Sequence, residues 1–300
     1  MTLKLESLEK TFGSHTAVGG INAEVAPGSM FGMLGANGAG KTTTFRMILG
    51  LLDPTSGTAE WNGRRIGYDR THLIGYLPEE RGLFPKLTVK DQLVYLMRLN
   101  GMKRQDTIKE MRSWLERFQV EEYENKKVEE LSKGNQQKIQ FMAAVLHRPE
   151  LLILDEPFSG LDPVNADMLK EAVLSIQKNG TTIVFSSHQM RNVEELCEEI
   201  LMLKEGRVVL EGHLNDIKRS YSMKNIRIRA DHDFSITETP GSILSVSSNK
   251  LETVVQVNGE EAVKDVFYQA SADGYLRHFA VEEPSLHDIF IDKAGGNEHE

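Results

Sequence analysis

The chain has 300 residues, 40% of them hydrophobic and 26% charged, with a formal net charge of −9. This composition excludes a disordered or collagen-like chain, and the length allows one large or two ordinary domains whose core needs no staples. The acidic balance argues against a nucleic-acid partner, and a single cysteine, Cys197, rules out an internal disulfide and a cysteine metal cluster.

In chain order, Leu3 and Leu5, then Ala23 and Val25, alternate with a strand-like period of two, and Gly13-Ser14 and Pro27-Gly28 mark turns between them. The N-terminus carries charges among its first residues and lacks the apolar core of a signal peptide. Met30 to Leu34 predicts a short strand, a Gly-rich turn follows, and Thr42 to Leu52 predicts a helix. Leu93 to Phe118 is rich in helix formers, broken at Gly101, and residues 121–130 form a charged run expected to be a solvated face. A helix is predicted from about Gly134 to His147. The apolar run Leu151 to Leu154 and the segment Thr181 to Ser186 predict strands buried on both faces of a parallel sheet. Leu201 to Leu203 and Val208 to Leu210 flank Glu205-Gly206-Arg207 as a hairpin.

After about Gly212 a helix-like linker near Asp216 to Ser220 leads into alternating segments at Ile226, Ile243 and Thr253. A helix over Glu260 to Ala272, a strand over Leu276 to Val281 and a short helix opened by Pro284 complete a small α+β unit. His278, His287 and His299 are too scattered to predict a metal site, and Met30, Met33 and Met47 are expected in the core. No apolar run approaches the roughly 18–20 residues that span a bilayer, so a membrane role requires another chain to do the spanning.

The strongest chemical signal is Gly35-Ala-Asn37-Gly38-Ala39-Gly40-Lys41-Thr42, with a strand before it and a helix after it. Glycines let backbone N–H groups wrap a phosphate, and a helix start aims its positive end at the anion. Lys41 suits the outer phosphates, the Thr42 hydroxyl suits Mg2+, and Thr43 adds a phosphate contact. Asp155-Glu156 ends the apolar run. A carboxylate at the end of a parallel strand sits beside such a loop, which makes Asp155 the expected Mg2+ partner and Glu156 the group expected to polarise an attacking water. The heptad Leu131-Ser132-Lys-Gly134-Asn-Gln-Gln137 reads in isolation as a helix N-cap, with Ser132 or Asn135 as the capping residue.

Taken in order, the phosphate loop, this heptad, the acidic strand end and a strand ending at Ser186-Ser187-His188 resemble the ATP-binding subunit of an ABC transporter over about residues 1–212. The resemblance implies an α/β fold: a phosphate-loop ATPase core with a mixed sheet, an N-terminal antiparallel β part and a helical subdomain over about 80–148. Residues 213–300 follow as a small α+β accessory domain. It further implies ATP and Mg2+ as ligands. Leu131 to Asn135 resembles the family signature, which is completed across a dimer so that Ser132 and Gly134 meet the nucleotide of the opposite subunit. Ser159-Gly-Leu-Asp162 resembles the loop at that interface, His188 the switch histidine at the γ-phosphate, and Phe12 the ring that stacks on adenine.

Three positions depart from the family pattern. Glu79 stands where a glutamine usually senses Mg2+ and the permease, and Lys133 and Asn135 replace glycine and glutamine in the signature. With Pro284-Ser285-Leu286…Ile289-Phe290, these variants resemble an export branch similar to sodium-extrusion ATPases. The implied partners are a separate polytopic permease, contacted through Arg81, Leu83 and Phe84, and a second nucleotide-binding domain, at the cytoplasmic face of the membrane. A soluble ABC-type ATPase acting on ribosomes or DNA, and a nucleotide-dependent regulatory module with little turnover, stay open as alternatives.

Overall fold

The computed structural model describes residues 2–80, 82–237, 241–249 and 251–295. The chain folds as two compact units, Met1–Glu211 and Gly212–Glu300.

In the first unit, β1 (Leu3–Phe12) and β2 (His15–Val25) pair antiparallel. Their alternating apolar residues Leu3, Leu5, Leu8, Val18, Ile21 and Val25 are all buried. β3 (Met30–Leu34) is buried at every position and is followed by α1 (Lys41–Ile48). The expected extension of this helix to Leu52 fails at Gly50, whose φ of 67° starts a left-handed turn. There the Leu51 N–H donates to the Arg46 carbonyl and the Gly50 N–H to the Met47 carbonyl, the double bond of a Schellman stop.

Three strands then lie where the sequence pattern is silent: β4 (Ser56–Trp61), β5 (Arg64–Arg65) and β6 (Ile74–Leu77). Beyond them come α2 (Val89–Leu99), α3 (Arg104–Arg117) and α4 (Lys133–Val145); Phe141 of α4 meets Trp114 and Phe118, at the end of α3, edge-on. β7 (Leu151–Leu154), α5 (Pro163–Lys178), β8 (Thr182–Ser187), α6 (Met190–Leu196), β9 (Glu199–Lys204) and β10 (Arg207–His213) finish the core.

One sheet has the order β2-β1-β4-β5 and a second the order β10-β9-β3-β8-β7-β6. Within the second sheet β6, β7, β8, β3 and β9 run parallel. The two-residue link Glu205-Gly206, with φ of 50° and 77°, has the double positive φ of a tight hairpin turn and brings β10 back antiparallel, so the sheet is mixed. Trp61, Phe45, Ile153, Val184 and Leu201 belong to one core shared by the two sheets and α1. Buried parallel strands must be apolar throughout, which leaves polar side chains only at their ends and concentrates the chemistry there.

The charged run 121–130 is more than a solvated face. Val128 is buried within it, Glu124 pairs with Lys90 and Arg112, and the Tyr123 hydroxyl accepts from Asn135 at the start of α4.

The second unit holds α7 (Leu214–Ser220), β11 (Met223–Ala230), β12 (Ile243–Ser248), β13 (Thr253–Asn258), α8 (Glu260–Ser271), β14 (Leu276–Glu282) and α9 (Leu286–Gly295). Its strands form an antiparallel sheet of order β12-β13-β11-β14. Ile226, Ile228, Val255 and Val257 of this sheet bury against Ala262, Val266 and Ala270 of α8.

Candidate active site

The loop between β3 and α1 turns through positive φ at Gly35 (151°), Gly38 (83°) and Gly40 (107°). A Cβ at Gly35 would sit 2.6 Å from the Leu203 carbonyl oxygen, and one at Gly40 2.6 Å from that of Ala17. These two glycines therefore let the loop tuck against β9 and β2, while the space beside Gly38 is open. The first N–H groups of α1 have no partner within the helix, and no side chain caps them. They border a cavity of about 450 Å3 walled by Asn37, Gly38, Gly40, Lys41, Thr42 and Thr43. Phe12, 50% exposed, stands at its rim, and Glu79, His15 and Ala17 complete the lining.

The polar groups at the strand ends engage one another, although Glu156 Oε1 has no hydrogen-bond partner among the described residues. The Thr42 hydroxyl donates to Asp155 Oδ2 at 2.7 Å, the Ser186 hydroxyl donates to Asp155 Oδ1 at 2.6 Å, and the Glu156 N–H donates to Ser186 Oγ at 3.0 Å. Lys41 Nζ donates to the Gly35 carbonyl at 2.6 Å and to the Ala36 carbonyl at 3.3 Å. The same ammonium lies 3.4 Å from Glu156 Oε1, and His188 Nδ1 lies 2.9 Å from Glu156 Oε2. Lys41 and Glu156 are both buried. Glu156 takes a φ of 50°, a left-handed conformation that costs a residue with a side chain about 1 kcal/mol or more. That turn swings its carboxylate off the strand toward Lys41 and His188. Nearby, burial pushes the Tyr76 phenol up to about 12, and the negative charges of Asp155 and Glu79 add to the shift.

This site suits a nucleoside triphosphate with a hard divalent cation. The glycine loop offers backbone donors and a buried ammonium, Thr42 and Asp155 bring two oxygen ligands together, and Phe12 gives an apolar face at the rim. Not every expected residue lines the cavity. Gly35 and Ala39 are buried beneath the loop and support it. Ser132, Gly134 and Asp162 are not among its walls but gather elsewhere. The Ser132 hydroxyl caps α4 by accepting from the Asn135 N–H, and Asp162 caps α5 by accepting from the Asn165 N–H at 3.1 Å. A Cβ on Gly134 would lie 3.2 Å from Asn165 Nδ2, so the signature turn and the Ser159–Asp162 loop are neighbours. Hydrogen bonds from Asn165 hold the Asp162 carboxyl below the usual carboxylate range. Sequence reasoning missed His15, Ala17 and Ser186 as site residues; only Ser186 left a signal there, as a hydroxyl beside His188 at a strand end.

The ABC transporter ATP-binding protein YhaQ of Bacillus subtilis is 54% identical over 98% of this chain and 98% of its own length. The chain belongs to the ATP-binding proteins of ABC transporters. Residues 18–159 match the ABC transporter family, and residues 212–294 match the C-terminal domain of DrrA1-3-like ATP-binding proteins. The linearmycin resistance ATP-binding protein LnrL of Bacillus subtilis is 30% identical over 98% of each chain. Among solved structures, an ATP-binding subunit of an ABC transporter superposes with a TM-score of 0.69 at 30% identity, covering 73% of this chain and 93% of that one. Among its described residues the chain has no helix long and apolar enough to cross a membrane.

Proposed function

We propose that the chain hydrolyses ATP as one half of a head-to-tail pair of nucleotide-binding domains and drives a separate membrane permease that exports an ion or small molecule. The observation that carries this reading is the convergence of Lys41, Thr42, Asp155, Glu156 and His188 at the ends of β3, β7 and β8. Lys41 exchanges its Gly35, Ala36 and Glu156 partners for the phosphates, and that exchange frees Glu156. The freed carboxylate accepts a proton from the attacking water, while His188 orients it through Oε2. Thr42 and Asp155 would hold Mg2+, which when bound supplies positive charge against the phosphates. Phe12 stacks on the base, and Asn37, Gly38, Gly40 and Thr43 hold the phosphates.

Ser132, Gly134 and Asp162 lie away from the chain's own cavity, which supports a role toward the nucleotide of a second copy or a paralogue. The permease docks on an apolar groove of about 530 Å3 formed by Phe84, Pro85, Lys86, Leu87 and Tyr95. Of the contacts expected from the sequence, Phe84 lines this groove, Leu83 does not, and Arg81 lies outside the described residues. Docking there places the chain peripherally at the cytoplasmic face of the membrane. The likeness to a relative named for linearmycin resistance supports export, since removing a compound confers resistance to it.

Glu156→Gln tests the reading. Steady-state phosphate release is expected to fall by about 10²–10⁴-fold, the usual worth of a positioned base, with ATP binding retained. Undiminished turnover by this variant overturns the assignment. An affinity pull-down of Glu156→Gln with ATP from detergent-solubilised membranes is expected to recover a polytopic membrane protein, and recovery of ribosomal proteins instead removes the transport step.

A further inference from the structure

Two buried glutamines from different helices hold described residues at the two ends of the stretch between Glu79 and the Phe84 groove. Gln140, 4% exposed on α4, donates through Nε2 to the carbonyls of Pro78 and Glu80, both at 3.1 Å, and so brackets Glu79. Gln92, fully buried on α2, accepts the Phe84 N–H on Oε1 at 2.5 Å. Farther along, the Glu129 and Val128 N–H groups donate to the Pro85 and Leu87 carbonyls. One end of this segment lines the phosphate-loop cavity and the other lines the apolar groove. Gln140 also belongs to the helix that opens at Ser132 and Gly134, about 9 Å along its axis from Gly134. α4 packs against β6, the strand that leads into Glu79.

The second amide atom of each glutamine is left over. Gln140 Oε1 and Gln92 Nε2 are buried and find no hydrogen-bond partner among the described residues. One is an acceptor and the other a donor, and a buried polar atom without a partner raises the energy of the arrangement that strands it. An amide with one face bonded and one face stranded is suited to a segment with more than one resting position.

We propose that Gln140 is a positioning residue that couples the signature turn of α4 to the Glu79 segment, and through that segment to the Phe84 groove. A shift of α4 carries the Pro78 and Glu80 carbonyls with it, because one side-chain amide holds both. Glu79 then moves relative to the phosphate loop, and the Phe84 end follows against its Gln92 anchor. Gln140 touches neither nucleotide nor water in this scheme. The proposal rests on the reading of the cavity as an ATP site.

The test uses the full-length chain and Gln140→Met, which keeps the side chain's length and removes both donors. Calorimetry measures the affinity for Mg-ATP, and hydrogen exchange with and without Mg-ATP follows the amides of Asn135 and Gln136, and of Phe84 and Leu87. In the unaltered chain nucleotide is expected to change exchange at both places. In Gln140→Met the affinity should stay within about twofold and the response at Asn135 and Gln136 should persist, while the response at Phe84 and Leu87 falls by about tenfold. Gln140→Leu, which likewise lacks the donors to the Pro78 and Glu80 carbonyls, should lose the response at Phe84 and Leu87 in the same way, and it carries the test should Gln140→Met not fold. An unchanged Phe84 response in Gln140→Met overturns the coupling, as does an unaltered chain whose Phe84 amide ignores bound nucleotide. Failure of the unaltered chain to bind Mg-ATP overturns instead the reading of the cavity.

Discussion

At the ends of β3, β7 and β8, Lys41, Asp155, Glu156 and Ser186 are buried and engage one another, whereas Ser132 and Asp162 stand exposed, each capping its own helix, with Asp162 also accepting from the Asn165 side-chain amide. The first group is preorganised: each charge already has an opposite charge or an oriented dipole beside it, which is how buried polar groups are tolerated. The second group has no such closed set, and Gly134 presents its backbone beside Asn165 on an accessible turn. Under the function proposed above, the first region holds the ligand from its own chain and the second is offered to the nucleotide of another. The difference teaches that a buried set of polar groups must be matched within its own chain, whereas an exposed cap can keep its remaining valences for water or another molecule.

The sharpest way to break this contrast is Lys41→Met. Removing the buried ammonium leaves Glu156 Oε1 without its counter-charge and strips the loop of its charged donor. At about 1.5–3 kcal/mol for each charge-assisted bond, nucleotide affinity measured by calorimetry should fall by about 100-fold or more. Retained affinity would show that backbone donors alone hold the phosphates.

Ser132→Ala addresses the exposed region. Hydrolysis at high chain concentration should drop by about tenfold, while the affinity of the dilute single chain for nucleotide stays unchanged. The lost cap also costs about 1 kcal/mol, to be read separately as a small fall in melting temperature. A loss of single-chain affinity in this variant would place Ser132 at the chain's own cavity and erase the distinction.

The smallest effect is expected at the rim. Phe12 is half exposed, with the Lys10 ammonium 5.2 Å from its ring centre, so little of the fold rests on it. Phe12→Ala should weaken adenine nucleotide binding by about 2–10-fold with an unchanged melting temperature, the scale of one aromatic stacking contact. Equal affinities for a ring-bearing and a ring-deleted rim would mean that the base lies elsewhere.

Much of the architecture was legible because its signals are local. The buried runs at Leu151–Leu154 and Thr182–Ser187 announce parallel strands, since apolar residues suit a strand covered on both faces, and Met30–Leu34 announces a short strand. The phosphate loop was legible for the same reason, because its glycines are dictated by backbone conformation at Gly35, Gly38 and Gly40. β4 was not legible: Ser-Gly-Thr-Ala-Glu-Trp has weak alternation, and the strand forms because β1 supplies the pairing edge and Trp61 buries in the shared core. The end of α1 was misjudged because apolar residues continue past Gly50, and only the carbonyl bonds of that turn stop the helix.

By itself, the sequence determined which groups are available for chemistry and the family to which they point, because phosphate loops, acidic strand ends and signature turns are short contiguous motifs. Tertiary structure decided how those groups are paired. Only the folded chain shows that Lys41 rests on Glu156, that Asp155 joins Thr42 to Ser186, and that Gln140 clasps the carbonyls around Glu79. These are hydrogen bonds and ion pairs between residues far apart in the chain. They exist because parallel strands gather their ends on one edge of the sheet and α4 is packed against it, which no local pattern specifies.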